Sequence, residues 1–164
     1  MKRRTVLAGS ALALAGCSSD ALEGPEAADA EAEIRDRLAG LRDSEGLSEL
    51  SARDALATAA RGHSRDMHER DFYAHENPDG AGPSDRAGCR AGEVIHRGEI
   101  GEMRNRGSDE TYDTYAADEL AAYVVDGWRL SEPHFETITL PRWAAIGVGV
   151  YIGDGEFFAT AVFC

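Results

Sequence analysis

"AAIGVGVYIGDGEFFATAVF", residues 144 to 163, consists of two apolar runs of similar length around Gly153-Asp154-Gly155. Runs this short, joined by glycines and an aspartate, read as the two strands of an antiparallel hairpin. Successive side chains of a strand leave on opposite faces, so Ile146, Val148, Val150 and Ile152 point one way and Gly147, Gly149 and Tyr151 the other. Both faces are apolar or bare, and neither suits water. Helices are expected to cover both. That makes three layers, helix on sheet on helix, with the helices early in the chain and the hairpin last: an α+β fold of the α-β-α sandwich kind.

The helices are legible upstream. "YAADELAAYVVDGWRL", residues 115 to 130, carries Leu120, Tyr123, Val124 and Trp128 at helical spacing. Ser131 and Pro133 mark its end, and "PHFETIT", residues 133 to 139, is a short helical turn with Pro133 suited to a first position. Ser51 reads as the cap of a helix running to about Arg70, with Asp54 at its third position. The stripe of that helix is Leu56, Ala59, Ala60, His63 and Met67, so His63 is expected to be a hydrogen-bonded core histidine. A first helix is expected over Glu31 to Asp43, where Ile34, Leu38 and Leu41 recur among charges. Between the second and third helices lie the loop "ENPDGAGPSDRAG", the short segment "CRAGEVIHRGEIGEM" and a polar loop to about Asp113. With 164 residues and 43% hydrophobic content, the chain is sized for one core.

Residues 1–17 read as an export signal: basic Lys2, Arg3 and Arg4, an apolar run too short to span a bilayer, then Leu14-Ala15-Gly16-Cys17. The adjacent arginines resemble a twin-arginine signal. The last four residues resemble the lipobox of exported lipoproteins, in which lipid is added to the cysteine sulfur after cleavage before it. Cys17 is thus expected to be the lipidated first residue of a protein anchored to the outer side of the cell membrane. A signal cleaved elsewhere, giving a fully secreted protein, is the alternative. Residues 18–30, small, acidic and broken by Gly24 and Pro25, read as a tether, and 31–164 as the domain.

Two cysteines remain, Cys89 and Cys164. In an oxidising compartment such a pair favours a disulfide, here closing a loop of about 75 residues and stabilising by roughly 4 kcal/mol in the chain-entropy model. Free thiols or an intermolecular link are the alternatives. After the signal, 14 arginines face 30 aspartates and glutamates, a net charge of −16 with no lysine. Such a surface repels nucleic acid and anionic head groups. Lysine depletion with acidic excess resembles proteins of salt-loving microbes. A codon bias toward arginine would explain the first feature and not the second.

Several motifs fail on spacing. "HERDF", residues 68 to 72, begins like a zinc-protease helix but has Phe72 where the second histidine belongs. "GHSRD", residues 62 to 66, lacks the second glycine of a nucleophile elbow and falls inside a helix. "GVGVYIG", residues 147 to 153, lies in a strand with no helix after it, so it is not a dinucleotide loop. What remains is His75 in "DFYAHENPDG", His134, and Glu93, Glu99 and Glu102 between them. Two imidazoles with one or two carboxylates can ligate zinc or another divalent ion, water filling an open position. Two exposed loop histidines are the competing reading.

"AARGHSRDMHERDFYAHENPDG", "GWRLSEPHFETITLPRWAAIGVGV" and "GEFFATAVF" together resemble the CAP superfamily, or SCP domains, in its short microbial form. The resemblance runs from about residue 31 to 164. It implies an α-β-α sandwich and a central cavity with two histidines and two glutamates. Carried over, His75 is the first histidine and His134 the second. Glu93 matches the first glutamate, with Glu99 as rival, and the second glutamate has only Glu132 nearby, so the site is expected to hold three groups rather than four. The resemblance implies an extracytoplasmic binding module, with a small-molecule, lipid or protein ligand that no residue identity selects. A second reading is a metal-assisted hydrolase of cell-surface peptides or esters, with zinc on His75 and His134 and Glu93 taking the proton of a bound water. A third is a structural surface partner, its histidines bonded to glutamates without an ion.

Overall fold

The computed structural model describes residues 25–164, so the expected signal, Cys17 and the first part of the tether lie outside the described residues. No described helix is long and apolar enough to cross a membrane.

The chain begins with α1 (Ala27–Ser44). This helix takes in the last four residues assigned to the tether, because Ala30 sits in the core at 0% exposure beside Ile34 and Leu38 and extends the buried stripe backward. A two-residue strand, β1 (Ser51–Ala52), follows, then α2 (Asp54–Glu69). Ser51 is therefore not the cap of α2: its N–H donates to Ala144 O at 3.0 Å, and the helix starts after Arg53 with no side-chain cap. The loop holds a single helical turn, α3 (Pro83–Ala87), closed by Gly88 at φ +66°. Then come β2 (Gly92–Glu99), β3 (Glu102–Arg104) and β4 (Thr111–Asp113), the last two forming a small antiparallel sheet from the end of the expected short segment to the end of the expected polar loop. The helices α4 (Ala117–Arg129) and α5 (Glu132–Ile138) and the hairpin β5 (Ala145–Gly153) and β6 (Glu156–Phe163) complete the chain.

The main sheet has the order β1-β5-β6-β2, parallel only between β1 and β5. Asp154 and Gly155, at φ +53° and +78°, make the two-residue hairpin turn, and both positions need the left-handed region that such turns use. α2 packs on β5 and β6 from one side; α1 and α4 pack against each other and the sheet from the other. The sandwich is the one expected from the hairpin.

The faces are built differently. Toward α1, α4 and α5 lie Val94, Ile146, Val148, Val150, Phe157, Ala159, Ala161 and Phe163, which join Ile34, Leu38, Leu120, Val124 and Trp128 in one apolar core. Toward α2 lie Gly147 and Gly149. A Cβ on Gly147 would meet the backbone of Leu56 and Ala57, and one on Gly149 that of Ala60 and Arg61, so α2 rests directly on the strand. Ser64 uses this proximity to donate to Gly149 O at 2.9 Å. Where β1 ends, Glu31 replaces it: buried at 4% exposure, it accepts from Val150 N–H and from Arg61. The Cys89–Cys164 disulfide, with Cα atoms 6.2 Å apart, ties the end of β6 to the loop after α3.

Candidate functional site

His75 is delivered to the sheet edge by the chain that leaves α2. Asp71 turns the backbone at φ +52°, Tyr73 O–H donates to Ile95 O at 3.0 Å, and His63 Nε2 lies 3.0 Å from Ala74 O. Trp128 Nε1–H of α4 donates to the same Ile95 carbonyl at 2.9 Å, so one peptide of β2 anchors both walls. His63 is the hydrogen-bonded core histidine expected from its place in the stripe, 1% exposed.

Glu93, on the face of β2 turned to α2, is the centre of the arrangement. Its side chain is 1% exposed, whereas that of His75 is 49% exposed. His75 Nδ1 lies 2.9 Å from Glu93 Oε1. A carboxylate accepts only, so Nδ1 carries a proton, and in the neutral ring Nε2 keeps the lone pair. Arg86 of α3 takes the other oxygen, donating to Glu93 Oε2 at 2.8 Å, to His75 O at 2.9 Å and to Ala81 O at 2.7 Å. A buried carboxylate needs this pairing, since desolvating it alone costs several kcal/mol, roughly, even after relaxation. His63 Nε2 is 3.7 Å from Glu93 Oε1, too far for a hydrogen bond, and burial holds its imidazole below the ordinary range.

His134, on α5, comes within electrostatic reach of His75. Burial lowers its pKa first, and the neighbouring His75 adds to the shift. Its Nδ1 is buried without a partner. Beside it stands His96, on the opposite face of β2 from Glu93, with its ring edge-on to Tyr123 at 5.0 Å and stacked on Phe157 at 6.4 Å. Burial, and then His134, push His96 down to about 4. Gly127 makes its room: a Cβ there would come within 2.6 Å of His96 Cε1.

The structure thus brings His75 and Glu93 into contact and His134 near them, and it leaves the other candidates apart. Glu99 is exposed at the far end of β2, opposite Glu156 and six residues from Glu93, roughly 20 Å at the rise of a strand. Glu132 opens α5 with its side chain exposed, and Glu102 is exposed on β3. Neither Arg86 nor His96 was singled out from sequence. Arg86 sits in a glycine- and proline-rich loop with no period to mark it, although its opposite charge seven residues before Glu93 was a signal. His96 shares the strand register of Val94, which marks it as inward-facing.

These contacts also bear on zinc. Both oxygens of Glu93 are engaged, and no group of three or more His, Cys, Asp or Glu among the described residues is placed to hold an ion. The residues present do not fit a resident zinc with three protein ligands.

A three-layer sandwich with a half-exposed histidine held by a buried glutamate at the sheet edge defines a class of single-core domain. The sequence model of the CAP family, the cysteine-rich secretory protein family, matches residues 35–164, and the chain belongs to that family. The uncharacterized protein YkwD of Bacillus subtilis (strain 168) is 27% identical over 123 residues, covering 71% of this chain and 40% of that protein. The chain therefore spans well under half of that relative's length. Among solved structures, an extracellular SCP-domain protein from Bacillus anthracis str. Ames is 24% identical with a TM-score of 0.62, covering 84% of this chain and 40% of the other. An outer surface protein from Borrelia burgdorferi is 18% identical with a TM-score of 0.65, covering 82% of this chain and 91% of the other. At these identities the structural likeness concerns the fold.

Proposed function

We propose that the domain is an extracytoplasmic, lipid-tethered binding module whose cleft offers His75 Nε2, with His134 beside it, to a ligand. The observation that carries this reading is the 2.9 Å contact of His75 Nδ1 with Glu93 Oε1, backed by Arg86. A carboxylate that holds Nδ1–H leaves a half-exposed ring with its Nε2 lone pair outward, ready for a ligand O–H or N–H. A small-molecule, lipid or protein ligand is compatible with that single acceptor. A divalent ion at this place would have His75 and His134 as its protein ligands. The zinc-hydrolase alternative lacks a third ligand among the described residues.

The extracytoplasmic assignment is supported by the signal-like N-terminus, by the disulfide and by relatives described as extracellular or outer-surface proteins. The lipid tether rests on the sequence around Cys17. Detergent-phase partition that is lost in Cys17→Ala tests it, and a protein that stays aqueous in both forms sinks it. The acidic surface is read as an adaptation to high salt, so melting should become less cooperative from molar salt to ~50 mM, where screening reaches beyond 10 Å.

The cleft is tested by nitrogen NMR of the His75 side chain. The Nδ1–H tautomer is expected for the neutral ring; the mixture typical of a free imidazole would overturn the reading. Zinc titration of the parent, His75→Ala and His134→Ala is expected to show weak uptake lost in both variants, and tight stoichiometric uptake would restore a metal centre.

A further inference from the structure

The carboxylate that orients His75 is itself held by contacts that lead out of the cleft. One terminal nitrogen of Arg86, Nη2, donates both to Glu93 Oε2 at 2.8 Å and to His75 O at 2.9 Å. Since Glu93 Oε1 meets the ring of the same histidine, the bonds close a circuit through the His75 backbone, Arg86, Glu93 and the His75 ring. The position of Arg86 therefore sets the position of His75.

Little besides these bonds fixes α3, which carries Arg86. It is a single turn with no buried residue, and a lone turn is not stable by itself. The other terminal nitrogen of Arg86 donates to Ala81 O at 2.7 Å, within the same loop. Ala91 N–H donates to Ser84 Oγ at 3.1 Å in an exposed bond, and Ala87 is only partly buried against the cluster of Leu56 and Ala60. The covalent anchor is the disulfide from Cys89, three positions after Arg86, to Cys164. Without it the next fixed point is Gly92, six positions after Arg86, which pairs with Phe163 on β6. Opening the bridge thus doubles the chain between Arg86 and its anchor, and that doubling weakens the closure roughly threefold. Both cysteines are only half-buried, so a small thiol can reach them.

We propose that the Cys89–Cys164 bridge is a redox latch on the cleft: a dithiol reductant that opens it frees α3 and loosens the hold of Arg86 on Glu93 and His75. The inference rests on the reading of His75 given above. One thiolate of the reductant attacks a bridge sulfur and forms a mixed disulfide, and the second thiolate displaces it. Cys89 and Cys164 are left as two thiols, having gained two electrons and two protons, and the reductant leaves as a cyclic disulfide.

The test is NMR of the full chain, oxidised and treated with dithiothreitol, read as the solvent exchange of the His75 Nδ1–H, the Arg86 Nη hydrogens and the Asn77 and Ala81 amides. The two amides are bonded to each other's residues across the loop before α3. Exchange of a bonded hydrogen follows the population in which the bond is open, so reduction should speed all four about threefold while the β5 and β6 amides keep their rates. Inserting three glycines after Gly88 with the bridge intact lengthens the same chain by the same amount and should have the same effect. That variant decides the matter should the reduced chain unfold. In Arg86→Gln the opening should add nothing at His75, because the link it acts through is gone.

Unchanged exchange at His75 in the insertion variant, or an equal effect of reduction in Arg86→Gln, overturns the latch and leaves the bridge a purely structural tie. A mixed His75 tautomer already in the oxidised parent overturns the reading of the cleft, and the latch with it.

Discussion

The two faces of the sheet are covered by helices in opposite ways. Against α1 and α4 the strands present Phe157, Phe163, Val148 and Val94, and the helices answer with Leu38, Leu120 and Trp128. Against α2 the strand presents bare Gly147 and Gly149, and the contact runs from helix backbone to strand backbone, with Ser64 and Thr160 bonded between them. The first face gains its stability from area removed from water. The second gives up side-chain burial for close approach, and in that tightly packed zone the buried His63 and Glu93 can be placed. The apolar face makes most of the core, and the bare face holds Glu93 and His63, while His134 reaches the cleft from α5 on the other side.

The sharpest way to break this contrast is Gly149→Val. Its Cβ would occupy the backbone of α2 at Arg61, so the helix must lift and the polar contacts go with it. Loss of cooperative folding, measured by denaturant titration, is expected. Val148→Ala on the other face, a loss of two methyl-sized groups, is expected to cost only about 1–3 kcal/mol. If the two changes cost the same, the contrast is wrong.

Next in size is the disulfide, which pins the end of β6 beside α2. Replacing both Cys89 and Cys164 with alanine should lower unfolding free energy by roughly 4 kcal/mol, with the fold retained.

The pH dependence compares one histidine from each face. His96 packs on Tyr123 and Phe157 on the apolar side of the sheet and is pushed down to about 4; His63 lies under α2 and is also lowered, each chiefly by burial. A depressed imidazole pKa means that the unfolded chain takes the proton first. Stability is therefore full above about 6.5 and falls as pH drops toward about 4, by at most about 3 kcal/mol for His96. Urea titrations across that range should show the decline flattened by His96→Phe. A decline unchanged in that variant would move its origin to other groups.

The smallest effect is expected at Ser64→Ala. It removes the donor to Gly149 O and leaves Thr160 with one partner fewer, which costs about 1–2 kcal/mol. A neutral result would show that the helix is held by backbone packing alone.

Much of this was legible before the structure. The hairpin could be read because a strand has a period of two and its turn needs glycine. The stripes of α2 and α4 could be read because a helix repeats every 3.6 residues, and His63 was placed correctly on that ground alone. Elements without a period escaped. β1 is two residues long and owes its existence to Ala145 and Ile146, more than ninety positions away, so Ser51 looked like a helix cap. The small β3–β4 sheet is polar enough to pass for a loop.

The site divides in the same way. His75, Glu93 and His134 were found as residues, because histidine and glutamate are few enough to stand out and their family positions matched. Their roles were decided only by the tertiary structure. Glu93 is no outward-facing ligand, because Arg86 reaches it from α3 and His75 from the loop after α2, and both oxygens are used. Glu99 and Glu132, equally acidic in sequence, are kept in water by where their elements end. The sequence by itself determined the layers and the buried faces, since burial follows local periodicity. Which charges meet depends on distances between elements far apart in the chain, and those are set only when the helices close on both faces of the sheet.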